Sequence, residues 1–188
     1  GGGVGLNLSR IRAKDSMVNG YYNASGGVVP WIKIVNDTAV AVNQQGRRAG
    51  AVTVALDSWH LDIELFLELQ TENGDQRGKA YDIYPQVVLS DLFMKRVENN
   101  LEWTLVDPYE VRIKYGVELC ELYGEKFEEI YKALEKDTSL KLKKVIKARE
   151  LFKEIMKVQI ETGMPYIFFK DRANLMNHNN HKGMIGNG

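Results

Sequence analysis

Ala51-Val52-Thr53-Val54-Ala55-Leu56 is the stretch that decides the fold class of this 188-residue chain. It reads as a buried-type strand, apolar and β-branched almost throughout. Before it, the pattern is helical from Pro30, with Trp31, Ile34, Val35, Thr38 and Val42 on one face and the proline suited to the first turn. That helix runs out at Asn43-Gln44-Gln45-Gly46-Arg47-Arg48-Ala49-Gly50. After the strand, Asp57-Ser58 offer N-caps for a helix through about Glu72, with Asp62 and Glu64 in a first turn where the dipole favours acids.

Working outward, Val4-Gly5-Leu6-Asn7-Leu8-Ser9 alternates as a strand, and residues 10–29, rich in Gly, Asn and Ser, form a long loop. Further along come a strand from Ala80 to Leu89, a helix from Asp91 to Asn99 and a short strand, Trp103-Thr104-Leu105-Val106. A charged helical insertion spans about 108–140, with Phe127, Ile130, Tyr131 and Leu134 among its apolar residues. The pattern from Val145 to Glu161 predicts a helix that turns Leu151, Phe152, Ile155 and Val158 inward. Gly163 stops it and Pro165 prevents a restart. Tyr166-Ile167-Phe168-Phe169 reads as a last buried strand before a loop rich in Asn and His. Strands alternating with helices predict an α/β fold with a largely parallel sheet or barrel.

Composition narrows the function. Lys+Arg and Asp+Glu each number 25, so no global basic field attracts nucleic acid or an anionic membrane. No apolar run approaches the roughly 20 residues of a membrane span, and the glycine-rich start lacks the regions of a signal peptide, which points to the cytoplasm. A single cysteine, Cys120, excludes an intrachain disulfide framework and a cysteine-rich metal site. The chain has no initiator Met and stops in Gly186-Asn187-Gly188, so we read it as part of something longer.

Several residues invite a chemical reading. Gly1-Gly2-Gly3-Val4-Gly5 fails as a dinucleotide or phosphate-loop fingerprint because its glycines precede a strand instead of following one. It can serve as a tight entry or as a place where backbone approaches a ligand. The Gln44 to Gly50 loop sets two arginines and two amides between glycines, a donor-rich arrangement suited to polar bases or phosphates, or else a solvated turn. It enters its strand at the amino end, whereas ligands in open α/β sheets gather at the carboxyl ends. His60 in Trp59-His60-Leu61-Asp62 reads as a packed or capping histidine rather than a base. His178 and His181 have ligand-like spacing without an evident third ligand. Cys120 lies between Glu118 and Glu121, which raise a thiol pKa, and reads as an incidental surface or lightly packed thiol.

Five ordered blocks carry a more specific signal. Gly2-Gly3-Val4-Gly5-Leu6-Asn7-Leu8-Ser9-Arg10-Ile11-Arg12-Ala13 resembles the strand and first specificity loop of ribonucleotide reductase large subunits. Asn43-Gln44-Gln45-Gly46-Arg47-Arg48-Ala49-Gly50-Ala51 is similar to their second specificity loop. Trp59-His60-Leu61-Asp62-Ile63, Asp91-Leu92-Phe93-Met94-Lys95-Arg96-Val97 and Glu161-Thr162-Gly163-Met164-Pro165-Tyr166 resemble further family signatures, the first of them characteristic of class I enzymes. The resemblance covers essentially the whole chain. It implies an internal segment, residues 1–188, of one catalytic domain, a ten-stranded α/β barrel, with specificity loops at about 10–29 and 43–50 and the helical insertion at about 108–140.

The resemblance further implies radical reduction of ribonucleotides to deoxyribonucleotides. Gly2, Gly3 and Arg48 would approach the substrate. Arg12, Val18, Asn43 and Gln44 would belong to an allosteric effector site at a subunit interface, with Gln44 and Arg48 relaying effector identity to the substrate base. Gln45 and Arg47 stand where relatives often carry glycine, lysine or small residues, which leaves base selection open. The family's radical-bearing cysteine, in Asn-Leu-Cys-x-Glu, is expected immediately after Gly188, its redox cysteines lie outside this stretch, and Cys120 matches none of them. No catalytic residue, metal or cofactor is expected within this segment. The metal-radical cofactor belongs to a separate small subunit. Implied partners are the rest of the large subunit, the small subunit, a second large subunit, the ribonucleotide substrate and deoxynucleotide or ATP effectors. Two alternatives are a non-catalytic nucleotide-binding module and a segment of a cobalamin-dependent reductase.

Overall fold

Residues 51–57 form an inner strand of a four-stranded parallel sheet. In a computed structural model, which describes residues 2–42 and 50–186, the strand order is β1 (Gly3–Asn7), β2 (Ala51–Asp57), β3 (Tyr84–Leu89), β6 (Tyr166–Phe169). Gly3 stands opposite Ala51, Thr53 opposite Tyr84, and Gln86 opposite Tyr166. Burial deepens toward the carboxyl ends: Val54, Ala55, Leu56 and Asp57 are buried, as are Val87, Val88 and Leu89. Parallel pairing demands crossovers, and the first is α1 (Val29–Ala41), which carries the chain from the carboxyl end of β1 back toward the amino end of β2. Among the described residues β1 and β6 each have one paired side only. No described helix is long and apolar enough to cross a membrane.

A smaller two-stranded antiparallel sheet, β4 (Glu102–Val106) with β5 (Lys143–Lys147), carries the insertion. It is tied to the turn after β2 through Leu61 N–H to Val106 O at 3.1 Å and Val106 N–H to Trp59 O at 2.9 Å. Within the insertion lie α4 (Pro108–Tyr115) and α5 (Gly124–Lys136). Its core is aromatic. Tyr131 stacks on Trp103 at 4.4 Å and on Phe127 at 5.4 Å, and Phe93 of α3 (Asp91–Glu98) meets Trp103 edge-on. The buried Tyr131 hydroxyl accepts from Thr104 N–H and donates to Thr104 O, so its polar end is satisfied inside the core.

The structure corrects several boundaries. Asp57 and Ser58 do not cap a long helix. Asp57 is the last residue of β2, and the helix that follows, α2, is only Ile63–Leu67, continued by a 3-10 turn at Glu68–Gln70. The intervening residues form a turn closed by His60 N–H to Asp57 O and Ile63 N–H to His60 O. The strand expected from Ala80 starts at Tyr84, because the preceding residues bond elsewhere: Ala80 N–H to Leu69 O, and Asp82 N–H to the Asn36 side chain. Residues Lys143–Lys147 are a strand, so α6 begins at Ala148 and runs to Thr162. Gly163 ends it in the left-handed conformation, φ +79°, as its position predicts. β6 is an outer strand and not a buried one, with Tyr166 and Phe169 about half exposed.

The buried side of α1 is Ile32, Asn36 and Ala39, while Trp31, Ile34, Val40 and Val42 are more than half exposed. Of the apolar face that the sequence groups together, Val35 packs against the core, whereas Trp31, Ile34, Thr38 and Val42 point away from the sheet.

Candidate functional site

The two connections flanking α1 occupy opposite ends of the sheet. The first, residues 8–28, leaves β1 at its carboxyl end and is stapled by buried polar groups. Asp107 Oδ1 accepts from Ala13 N–H at 2.8 Å and Oδ2 from the Ser16 hydroxyl at 2.7 Å. Asp62 accepts from Lys14 N–H at 3.0 Å and, through Oδ2, from Val28 N–H at 3.0 Å, drawing the two stems of the loop together. The Ser9 hydroxyl accepts from Asp57 N–H. At Gly27, with φ +75°, a Cβ would lie 2.3 Å from Asp62 Oδ2, so only glycine allows this closure.

His60 completes the stapling. Its Nδ1 accepts from Asp62 N–H at 3.0 Å, which leaves the proton on Nε2 to be donated to Ile11 O at 2.8 Å. Burial is the largest influence on the ring and pushes its pKa below the usual 6.5, against the nearby Asp62. The neutral tautomer fits both bonds, and the expectation of a packed histidine holds.

The exposed part of the loop contains Tyr21 and Tyr22, with Asp15, Asn19 and Asn23 at positive φ. Such angles explain why this stretch is rich in Asn, Asp and Gly. Of the two effector candidates here, Arg12 lies over the Tyr109 ring at 4.2 Å and donates to Met17 O. Val18 exchanges backbone bonds with Tyr21, each 2.9 Å long.

At the opposite end, Gly3 and Ala51 are in register, so the glycine run lies beside the exit of the second connection. Gly2 and Gly3 are exposed, and a Cβ at Gly3 would meet nothing nearer than Ala51 O at 4.0 Å. Gly50 differs: a Cβ there would fall 2.6 Å from Ala39 O and 2.9 Å from Val42 Cγ2. Its bareness lets the incoming chain pass against the end of α1. Asn43, Gln44 and Arg48 lie outside the described residues. The stems nonetheless fix a distance. The 13 residues of α1 rise about 20 Å, so within one chain Arg12 and Val18 are separated by that helix from the stem at Val42. The structure sets Gly3 beside Ala51, the described residue that follows the second connection, whereas Arg12 and Val18 belong to the connection at the carboxyl end of β1.

A model of the ribonucleotide reductase barrel domain matches residues 1–187. The chain belongs to the ribonucleotide reductase family. It is 65% identical over 187 residues to the ribonucleoside-diphosphate reductase subunit alpha of Synechocystis sp., covering 98% of this chain and 24% of that protein. It is 44% identical to the alpha subunit of Helicobacter pylori (strain J99), covering 98% of this chain and 23% of that protein, and 39% identical to the large chain of Neurospora crassa, covering 98% and 19%. The chain thus spans about a quarter or less of the length of these curated relatives. The four parallel strands with their helical crossovers are an arc of the reductase barrel.

Within this reductase segment the carboxyl ends of the strands hold a polar group that sequence reasoning missed. Lys170, 2% exposed, stands 3.5 Å from Asp57 and donates to Cys120 O, anchoring the insertion above the sheet. Asp171 accepts from Asp91 N–H and Gly124 N–H, the starts of α3 and α5. Asp57 Oδ2 has no hydrogen-bond partner among the described residues. The available signal was Lys170-Asp171 directly after an apolar strand, where charge is costly unless paired.

Cys120 is corrected in place and in cause. It is buried in a 3-10 turn rather than lying near the surface, and its pKa rises to about 11 chiefly through burial and then Asp57, against Lys170 and Arg10. The flanking glutamates are not the cause. A thiol so held stays protonated and is no nucleophile. His178 and His181 are exposed, and the described residues contain no group of three or more candidate metal ligands.

Proposed function

We propose that this chain is an internal segment of the large subunit of a class I ribonucleoside-diphosphate reductase, which reduces ribonucleotides to deoxyribonucleotides by radical chemistry. It carries the specificity elements and part of the substrate site, while the reacting cysteines lie elsewhere in the subunit. The observation that carries this reading is the pairing of Gly3 with Ala51, which sets the bare glycine backbone beside the exit of the Asn43 to Gly50 connection. Gly2 and Gly3 approach the substrate there, and Arg48 reads its base with a forked donor. Gln44 grips the effector end of the same connection.

The length of α1 bears on the effector site. Arg12 and Val18 lie at one end of that helix and Asn43 and Gln44 follow the other, so one effector molecule draws on all four only with a second large subunit present. The outward Trp31, Ile34 and Val42 supply an apolar face for that subunit, with Tyr21 and Tyr22 exposed on the neighbouring loop. The radical arrives from a small subunit that holds the metal cofactor. Effectors are deoxynucleotides or ATP.

The test uses the full-length large subunit reconstituted with its small subunit, assayed on all four substrates with each effector in turn. Arg48→Ala and Gln44→Ala should flatten the substrate preference that each effector imposes, a coupling commonly worth about 1–3 kcal/mol, without abolishing turnover. Retention of wild-type preferences by both variants would reduce this connection to a turn.

A further inference from the structure

We infer that Asn174, assisted by Asn7, is a positioning residue that aims the chain leaving residues 183–186 at the reaction centre. Asn174 is buried, 4% exposed, in α7 (Lys170–Leu175), one turn beyond β6. Its Oδ1 accepts from Ile185 N–H at 2.7 Å, and its Nδ2 donates to Ile185 O and to Lys170 O, both at 2.9 Å. One amide therefore satisfies both backbone groups of a single residue, as a neighbouring strand would. A single bond leaves a pivot, whereas two bonds of opposite sense fix rotation as well as place.

The next residue is held from the other side. Asn7, the last residue of β1, donates from Nδ2 to Gly186 O at 2.8 Å while its own Oδ1 accepts from Ser9 N–H. β1 and β6 are the two outermost strands of the parallel sheet. Consecutive residues, about 3.8 Å apart along the chain, are thus gripped from opposite edges, and the segment crosses over the carboxyl ends of the strands. Apolar burial does not explain this path, since Ile185 is 38% exposed and Gly186 has no side chain. The turn before it is closed by polar bonds too: Asn177 Nδ2 donates to Gly183 O, and Lys182 N–H to Asn179 O.

This inference rests on the proposed function together with the family resemblance, which implies a radical-bearing cysteine in the stretch that this segment leads toward. A sulfur that must meet one hydrogen of a bound sugar tolerates little error, and displacement by about 1 Å can cost about 100-fold in rate. Lys170 links the grip to the sheet, because the carbonyl bonded by Asn174 belongs to the residue whose ammonium group faces Asp57.

The experiment compares wild type, Asn174→Ala, Asn174→Asp and Asn7→Ala in the full-length subunit reconstituted with its small subunit. It measures kcat, KM, effector-dependent substrate preference and amide exchange at Ile185. For Asn174→Ala we expect kcat to fall by about 100-fold, with KM within about two-fold, unchanged effector preferences and faster exchange at Ile185. Asn174→Asp keeps the acceptor for Ile185 N–H but loses the donor to Ile185 O, and should fall between. Asn7→Ala removes the grip on Gly186 from a half-buried site and should lower kcat several-fold in a folded protein, which keeps the test decisive if Asn174→Ala fails to fold. Wild-type kcat with a deprotected Ile185 amide would overturn the inference, as would kcat, KM and thermal midpoint all falling together. No deoxynucleotide formation by wild type would instead overturn the proposed function.

Discussion

The connection leaving β1 and the connection entering β2 flank the same helix, and they are built in contrasting ways. The first is long, yet Asp62, Asp107, Ser9 and His60 tie its stems to the core through buried bonds. At the second, the described stems are glycine or lie beside glycine: Gly50 passes where no Cβ fits, and Gly3 stands open next to Ala51. The first connection is held by side chains, while at the described stems of the second Gly50 is crowded and Gly3 is open. Polar staples give a fixed frame, whereas bare backbone leaves space in which a ligand can be met at close range.

Breaking the frame should have the largest effect. Asp62→Ala leaves the Lys14 and Val28 N–H groups without their acceptor, at about 1–3 kcal/mol for each such group, so about 3 kcal/mol of stability should be lost. Asp62→Asn, keeping one carbonyl oxygen, should lose about half as much. Denaturant unfolding of the full-length subunit measures both. An unchanged midpoint for Asp62→Ala would show that the loop holds itself.

A smaller effect should appear with pH. Burial lowers the pKa of His60, so below about pH 6.5 the unfolded chain binds a proton that the folded chain refuses. The stability contribution is complete above about pH 6.5 and is lost as pH falls through the lower folded value, with a slope of at most about 1.4 kcal/mol per pH unit. The lowered pKa values of Glu128 and Asp137 act at more acidic pH, since their ordinary values are 4.5 and 3.8. Urea midpoints between pH 7.5 and 5.5 should fall in wild type and stay flatter in His60→Gln, whose amide can still donate to Ile11 O. Equal slopes would remove His60 from the frame.

The glycine end should show the smallest stability effect. Gly3→Ala adds a methyl in nearly open space at ordinary φ, and should change stability by less than about 0.5 kcal/mol. If Gly3 faces substrate, the same methyl should raise KM in the reconstituted enzyme several-fold. A KM equal to wild type would sharpen the comparison by leaving Gly50 as the constrained glycine of that end.

The sheet was legible because the cores of its inner strands, Val54-Ala55-Leu56 and Val87-Val88-Leu89, are apolar and its punctuation is local: Gly163 ends α6, and Pro30 opens α1. Elements set by distant partners were not. Lys143-Lys144-Val145-Ile146-Lys147 has the charge of a helix surface, and only hydrogen bonds to β4 make it a strand. Asp57 belongs to β2 because Ser9 and Lys170, 48 and 113 residues away, meet its backbone and carboxylate. The outward face of α1 could not be told from a core face, since periodicity reports that an apolar face exists and not what covers it. Of the candidate site, the role of Gly2 and Gly3 came from the family resemblance, since glycines before a strand fit a plain entry turn equally well. The bonds from Asn174 to Ile185 and from Asn7 to Gly186 carry no short-range signature, because folding alone brings these backbone groups close, whereas Lys170 left only the local signal of charge directly after an apolar strand.

The sides of β1 and β6 that have no partner among the described residues bear on how this stretch behaves as a material. Each presents a row of backbone donors and acceptors ready to accept another strand. The β1 edge contains Gly3 and Gly5, and glycine-rich strands specify pairing register weakly. A copy of these residues expressed without flanking strands therefore offers two adhesive borders, one of them indifferent to alignment. Its concentration-dependent association would report those borders, and adding back the adjoining strands should suppress it.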